Sequence, residues 1–132
     1  MTLSTPFRAG LAGIALALAS ATALARPGDY EFQPINDDVK NGAGSELAVR
    51  LIQKTTGKPV PGAVLFRTRL DMAPDNMAEM TAKHVGMPST EPGVYRFKAD
   101  LTMAGGWAFR VMAKVPGEKD TVQGVVVFKA KD

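Results

Sequence analysis

The sequence predicts an all-β domain, an immunoglobulin-like antiparallel β-sandwich of about seven strands over residues 26–132, behind a cleavable leader at 1–25. Three observations predict it. Apolar and polar residues alternate with a period of two in several short segments. Gly- and Pro-rich turn signals separate those segments at regular intervals, and no segment sustains a helical period. That combination describes short strands half-buried on each side of one core, and about seven of them suit an immunoglobulin-like sandwich.

The elements follow in order. "DYEFQPI", 29–35, reads as a first strand, and its internal Pro34 places it at a sheet edge, where a missing N–H costs no ladder bond. "NDDVKNGAG", 36–44, reads as a polar loop. "SELAVRLIQ", 45–53, alternates Leu47, Val49 and Leu51, and "KTTGKPVPG" is a Gly/Pro turn. "AVLFRTRL", 63–70, reads as a strand with Val64, Phe66, Thr68 and Leu70 on one face and Arg67 and Arg69 on the other. A methionine-rich stretch follows, with a loop at 72–77, a strand at about 79–86 and the turn "PSTEPG". "VYRFKADL" turns Tyr95, Phe97, Ala99 and Leu101 inward, and "WAFRVMAKV" does the same with Trp107, Phe109, Val111 and Ala113. "TVQGVVVFKA", 121–130, is the last strand.

The leader is read from Arg8, the Ala/Leu run "LAGIALALASATALA" and the small-x-small triplet Ala23-Leu24-Ala25, the pattern of a secretory signal peptide. The run is short and Ala-rich for a membrane span, which needs about 20 strongly apolar residues, so no stable span is expected after cleavage. No Cys stands near the cleavage point, which excludes a lipoprotein. Cleavage after about Ala25 would release a periplasmic protein. It would also remove Arg8 and no acid, taking the net charge from +3 to +2. That charge, with no run of Lys and Arg interleaved with aromatics, argues against nucleic acid. The chain has no cysteine. A packed core must therefore stabilise the exported domain, and thiolate chemistry is excluded.

The stretch "LDMAPDNMAEMTAKHVGM", 70–87, holds four of the seven methionines and the only histidine. Alternating strand directions bring its first loop and the loop 102–106 to one end, so that Met72, Met77, Met80, Met103 and Trp107 converge there, together with the loop bearing Asp37 and Asp38. Thioether sulfur is soft and neutral and suits Cu(I) or Ag(I). These four methionines are the candidate metal ligands, and Trp107 is a candidate cap over the ion. In an extended strand His84 lies about 13 Å from Met80 at 3.3 Å per residue, so it joins the set only if the segment is looped. Methionine also fills irregular gaps in cores, which is the plain structural alternative.

The segments "GKPVPGAVLF" (57–66), "LDMAPDNMAEM" (70–80) and "EPGVYRFKADLTMAGGWAFRV" (91–111) resemble the YtkA-like/FixH-like domain family over about 45–130, most specifically at Gly93 to Tyr95 and at "MAGGW", 103–107. The resemblance implies a sandwich outside the cytoplasmic membrane, an association with heavy-metal efflux systems of the resistance-nodulation-division type, and copper handling. It carries the ligand positions onto Met72, Met77, Met80 and Met103, with the tryptophan at Trp107. FixH proper keeps a membrane helix for oxidase assembly, whereas the apolar segment here reads as cleavable.

Catalysis is not expected. His84 has no paired nucleophile motif, Ser45 and Ser89 stand in turn contexts, and Asp71, Asp75 and Glu79 are spaced as a solvated loop rather than as a glycosidase pair. The competing function is an interaction module that binds no metal and docks on an efflux adaptor or another envelope protein.

Overall fold

The computed structural model describes residues 27–132, so the expected leader lies outside the described residues. After a 3-10 turn at Pro27–Asp29 come ten strands. They are β1 (Tyr30–Pro34), β2 (Asp38–Lys40), β3 (Gly42–Gln53), β4 (Lys58–Pro59), β5 (Val64–Met72), β6 (Met77–Thr81), β7 (His84–Met87), β8 (Val94–Leu101), β9 (Gly105–Lys114) and β10 (Val122–Lys131). The first sheet runs β1-β3-β8-β7, with β4 on β3, and the second runs β2-β10-β9-β5-β6. Every pairing is antiparallel except β2 with β10.

The two sheets form the expected all-β sandwich. Strands β1, β3, β5, β7, β8, β9 and β10 divide between the sheets as the seven strands of an immunoglobulin-type domain do. The other three, β2, β4 and β6, are short additions. One of them corrects the sequence reading. The polar stretch 36–44 is not a loop throughout, because β2 adds in parallel beside β10 and β3 already begins at Gly42. A bulge between Gly42 and Ser45 lets that polar end stay paired to β8.

The core lies between the sheets. Leu47, Val49, Leu51, Phe97, Ala99 and Leu101 face it from the first sheet, and Leu70, Trp107, Phe109, Val111 and Phe128 from the second. The inward faces expected for β3, β8 and β9 are therefore as the alternation indicated. Strand β5 differs. A register shift between Leu65 and Arg67 inserts Phe66 as an extra residue against β9. Such a bulge reverses the facing of what precedes it. Leu65 turns toward the core, while Val64 and Phe66 stand exposed, Phe66 at 49%. Lys114 Nζ lies 5.9 Å from the Phe66 ring centre. Phe66 is thus a surface residue, against the expectation that it belongs to the core.

Two devices fix the ends of strands. Gly93 has φ +78°, and a Cβ there would stand 2.5 Å from Pro59 Cβ. Two residues on, the Tyr95 hydroxyl accepts from the Ala63 N–H (2.9 Å) and donates to the Val60 carbonyl (2.7 Å). Burial pushes the Tyr95 phenol above its ordinary pKa, opposed by the Ala63 amide, so it remains a donor. The Gly-x-Tyr pattern is therefore a clamp between β8 and the segment that enters β5.

Candidate metal centre

At the end of β5 the chain makes a 3-10 turn, Ala73–Asp75, and leaves it through Asn76 in the left-handed conformation (φ 60°). Pro74 pre-sets the turn, and Asn tolerates a positive φ better than most residues. The turn rests on the first residues of β9. A Cβ on Gly105 would lie 2.2 Å from Asp75 Oδ2 and 2.9 Å from Met72 Cε, and one on Gly106 would lie 2.9 Å from Pro74 Cβ. Gly105 also has φ +135°, which an L side chain rarely adopts. The Gly106 N–H donates to Asp75 Oδ2 (3.2 Å). The two glycines of "MAGGW" are a seat for the turn inside "LDMAPDNM", which is how two distant stretches meet.

The methionines distribute unequally around this seat. Met72 is a core residue with no exposed surface, contrary to the expectation that the methionines of this stretch stand open to solvent. Its backbone register partner is Met77 on β6. Met77 and Met80 are half-buried, packed against the core from the edge of the second sheet. Met103 is 38% exposed on the loop before β9. Its carbonyl accepts from Trp107 Nε1 (3.0 Å), which ties the loop to the core. Trp107 itself is wholly buried, so its ring fills the interior rather than standing open at the surface. Asp38 belongs to the same end, since Lys129 pairs in register with both Asp38 and Gly106. A hollow of about 450 Å3 lies there, lined by Pro74, Asp75, Gly105, Gly106 and Lys129 among others, and by no methionine.

His84 lies apart from this group. The expected single strand at 79–86 is broken, because the chain crosses from the second sheet to the first at Ala82 and Lys83. Met80 and His84 therefore belong to different sheets. The His84 ring stands edge-on to Phe109 (5.6 Å) and Phe97 (6.4 Å). Nδ1 is 3.1 Å from the Ala82 carbonyl and Nε2 is 2.6 Å from the Thr68 hydroxyl. A carbonyl can only accept, so in the neutral ring Nδ1 carries the proton and Nε2 accepts from Thr68. Both ring nitrogens are thereby used, Nε2 in tying β7 to β5 across the sandwich and Nδ1 on the crossing segment just before β7.

Next to Met72, Asp71 is the buried acid among the described residues, 1% exposed. It accepts from Arg110 Nε (2.8 Å), Arg69 Nε (3.1 Å) and the Ala73 N–H (3.0 Å). The Arg110 guanidinium, helped by the Ala73 amide and Arg69, holds its pKa below the usual carboxylate value against the opposing effect of burial. A depressed carboxylate adds stability above its unfolded pKa and loses it as pH falls through the folded one. The acid limb of the unfolding curve should therefore steepen below about pH 4. Asp71→Asn should flatten that limb and cost about 1–3 kcal/mol at neutral pH. Thermal melts of both proteins across the acidic range check this, and identical curves would remove Asp71 from the account. Sequence reading treated Asp71 as part of a solvated loop. The shared face of Arg69 and Asp71 was visible, but Arg110, 39 residues on, was not.

The profile of the YtkA-like family matches residues 22–112. The chain belongs to the YtkA-like family. The match starts earlier and ends earlier than the resemblance read from the motifs, so β10, paired along its length with β9, lies beyond the YtkA-like match. No curated protein shows significant similarity to this YtkA-like chain. Among its described residues no three of His, Cys, Asp and Glu come together as a metal-holding group, and no helix is long and apolar enough to cross a membrane.

Proposed function

We propose that the protein is an exported, periplasmic binder and carrier of Cu(I) or Ag(I), acting beside a heavy-metal efflux system and handing its ion to the periplasmic adaptor. The observation that supports this most directly is the seating of the Ala73–Asp75 turn on Gly105 and Gly106. It brings β6, with the half-buried Met77 and Met80, to the same end of the sandwich as the exposed Met103. The donor chemistry fits such an ion. Thioethers are neutral and soft, and they hold a soft cation without competing protons. An ion at this end would depend on them, since the described residues offer no cluster of His and carboxylates. Met77, Met80 and Met103 are the ligands in this reading, with Met72 packed beneath them. Trp107 and His84 shape the support.

Titration of Cu(I) against a competing chelator tests it. Met77→Leu combined with Met80→Leu keeps the volume and removes two sulfurs, and such swaps usually cost less than about 1.5 kcal/mol in stability. The parent should bind Cu(I), and the double variant should remain folded with at least about tenfold weaker affinity, or 1.4 kcal/mol. Equal affinities would clear these two methionines. A parent that binds no better than a methionine-free control would end the metal reading.

A further inference from the structure

The outer face of the second sheet carries a second unassigned surface. Arg67, Arg69, Arg110, Lys114 and Lys129 point outward from β5, β9 and β10. Asp71 is the single acid at the outward positions of these three strands, and it is buried. Between the cations lies an apolar strip. Val125 and Val127 are 53% and 46% exposed, and Met112 is half-buried beside them. A groove of about 460 Å3 runs here, lined by Arg67, Arg69, Arg110, Met112 and Val125 among others.

The guanidiniums of Arg69 and Arg110 are held in place before any ligand arrives. Arg69 and Arg110 are direct cross-strand partners and share the one carboxylate of Asp71. Arg69 Nη2 also donates to the Ala78 carbonyl (2.9 Å). Two cations on one anion leave positive charge uncompensated, and Arg67 adds another with no ion pair among the described residues. Fixed guanidinium planes favour carboxylates, which they meet with two parallel hydrogen bonds, and little side-chain entropy is left to lose.

We propose that this face docks an extended acidic segment of a partner protein, with its carboxylates on Arg67, Arg69 and Arg110 and its apolar side chains along Met112, Val125 and Val127. An extended segment repeats side chains on one face every 6–7 Å or so, the same spacing that separates Arg67 from Arg69 along β5. The apolar element is Met112 and Val125 in the groove wall with Val127 beside them on β10, and it includes no exposed aromatic ring. Peripheral membrane binders instead project large apolar groups into the bilayer. This docking stands whether or not the methionine end carries an ion.

The test titrates the protein with a short synthetic peptide of alternating Glu and Val, followed by amide NMR at low and at physiological ionic strength. Its Lys–Val counterpart and phosphatidylglycerol vesicles are the comparison arms. Shifts should concentrate at 67–71, 108–112 and 123–127, and affinity should fall with salt. Arg67→Glu, at an exposed position, should weaken binding about tenfold, as expected for one charge-assisted contact. Val125→Ser, which leaves every charge in place, should also weaken it and decides the matter if the first variant misfolds. No shift with the Glu–Val peptide up to millimolar overturns the proposal. So does equal binding of the Lys–Val peptide, unchanged affinity in the folded variants, or binding to the vesicles alone.

Discussion

Phe109→Ala should lower the stability of the domain by about 3–5 kcal/mol, the usual loss for a fully buried aromatic. Phe109 has no exposed surface, and its ring meets Phe97 from the facing sheet edge-to-face at 4.8 Å. His84, from β7, packs on the same ring at 5.6 Å. Truncation therefore empties the point where the two sheets are joined by aromatic contact. Phe66→Ala is the internal control. Phe66 lies on the bulge of β5 and is half exposed, so its loss should change stability by no more than about 0.5 kcal/mol. Urea denaturation of the two variants separates them. Comparable losses would mean that the bulge, and with it the facing of residues 64–66, is misplaced.

Gly105→Ala should cost about 2–4 kcal/mol, combining an unfavourable backbone angle with over-packing. The added methyl would meet the Asp75 carboxylate and the Met72 thioether, and neither can retreat freely. Asp75 is held by the Gly106 N–H and Met72 by the core. The substitution should lift the Ala73–Asp75 turn from its seat and disturb Met72 and Met77 together, because the two are register partners. Amide exchange should quicken at residues 72–77 and 105–107 well before it does in β3 or β8. A variant as stable as the parent, with unchanged exchange in that turn, would show that the seat does not hold the methionine end together.

The sheets themselves were legible. Tyr95, Phe97, Ala99 and Leu101, like Trp107, Phe109, Val111 and Ala113, alternate without interruption, and alternation is a local property that survives any choice of partner strand. The convergence of the loops at 72–77 and 102–106 also followed from strand direction alone. The candidate site was legible as soft ligands gathered at one end, and not in how they pack there. "MAGGW" and "LDMAPDNM" could be picked out as motifs, yet nothing local says that the glycines of one are empty to receive the proline and aspartate of the other.

By itself, then, the sequence determined a two-sheet all-β domain, the inward residues of β3, β8 and β9, and the family to which the chain belongs. Only the tertiary structure decided which methionines are reachable. It buried Met72 beneath Gly105 while leaving Met103 open, and it sent His84 to the other sheet by a crossing at Ala82 and Lys83. It also turned Phe66 outward through a one-residue bulge and enclosed Asp71 between two arginines 41 residues apart. The physical reason is common to all of these. Alternation sets a side chain's facing only while the pairing runs unbroken, whereas bulges, crossings, burial and partners are set by residues that the chain brings back from far away.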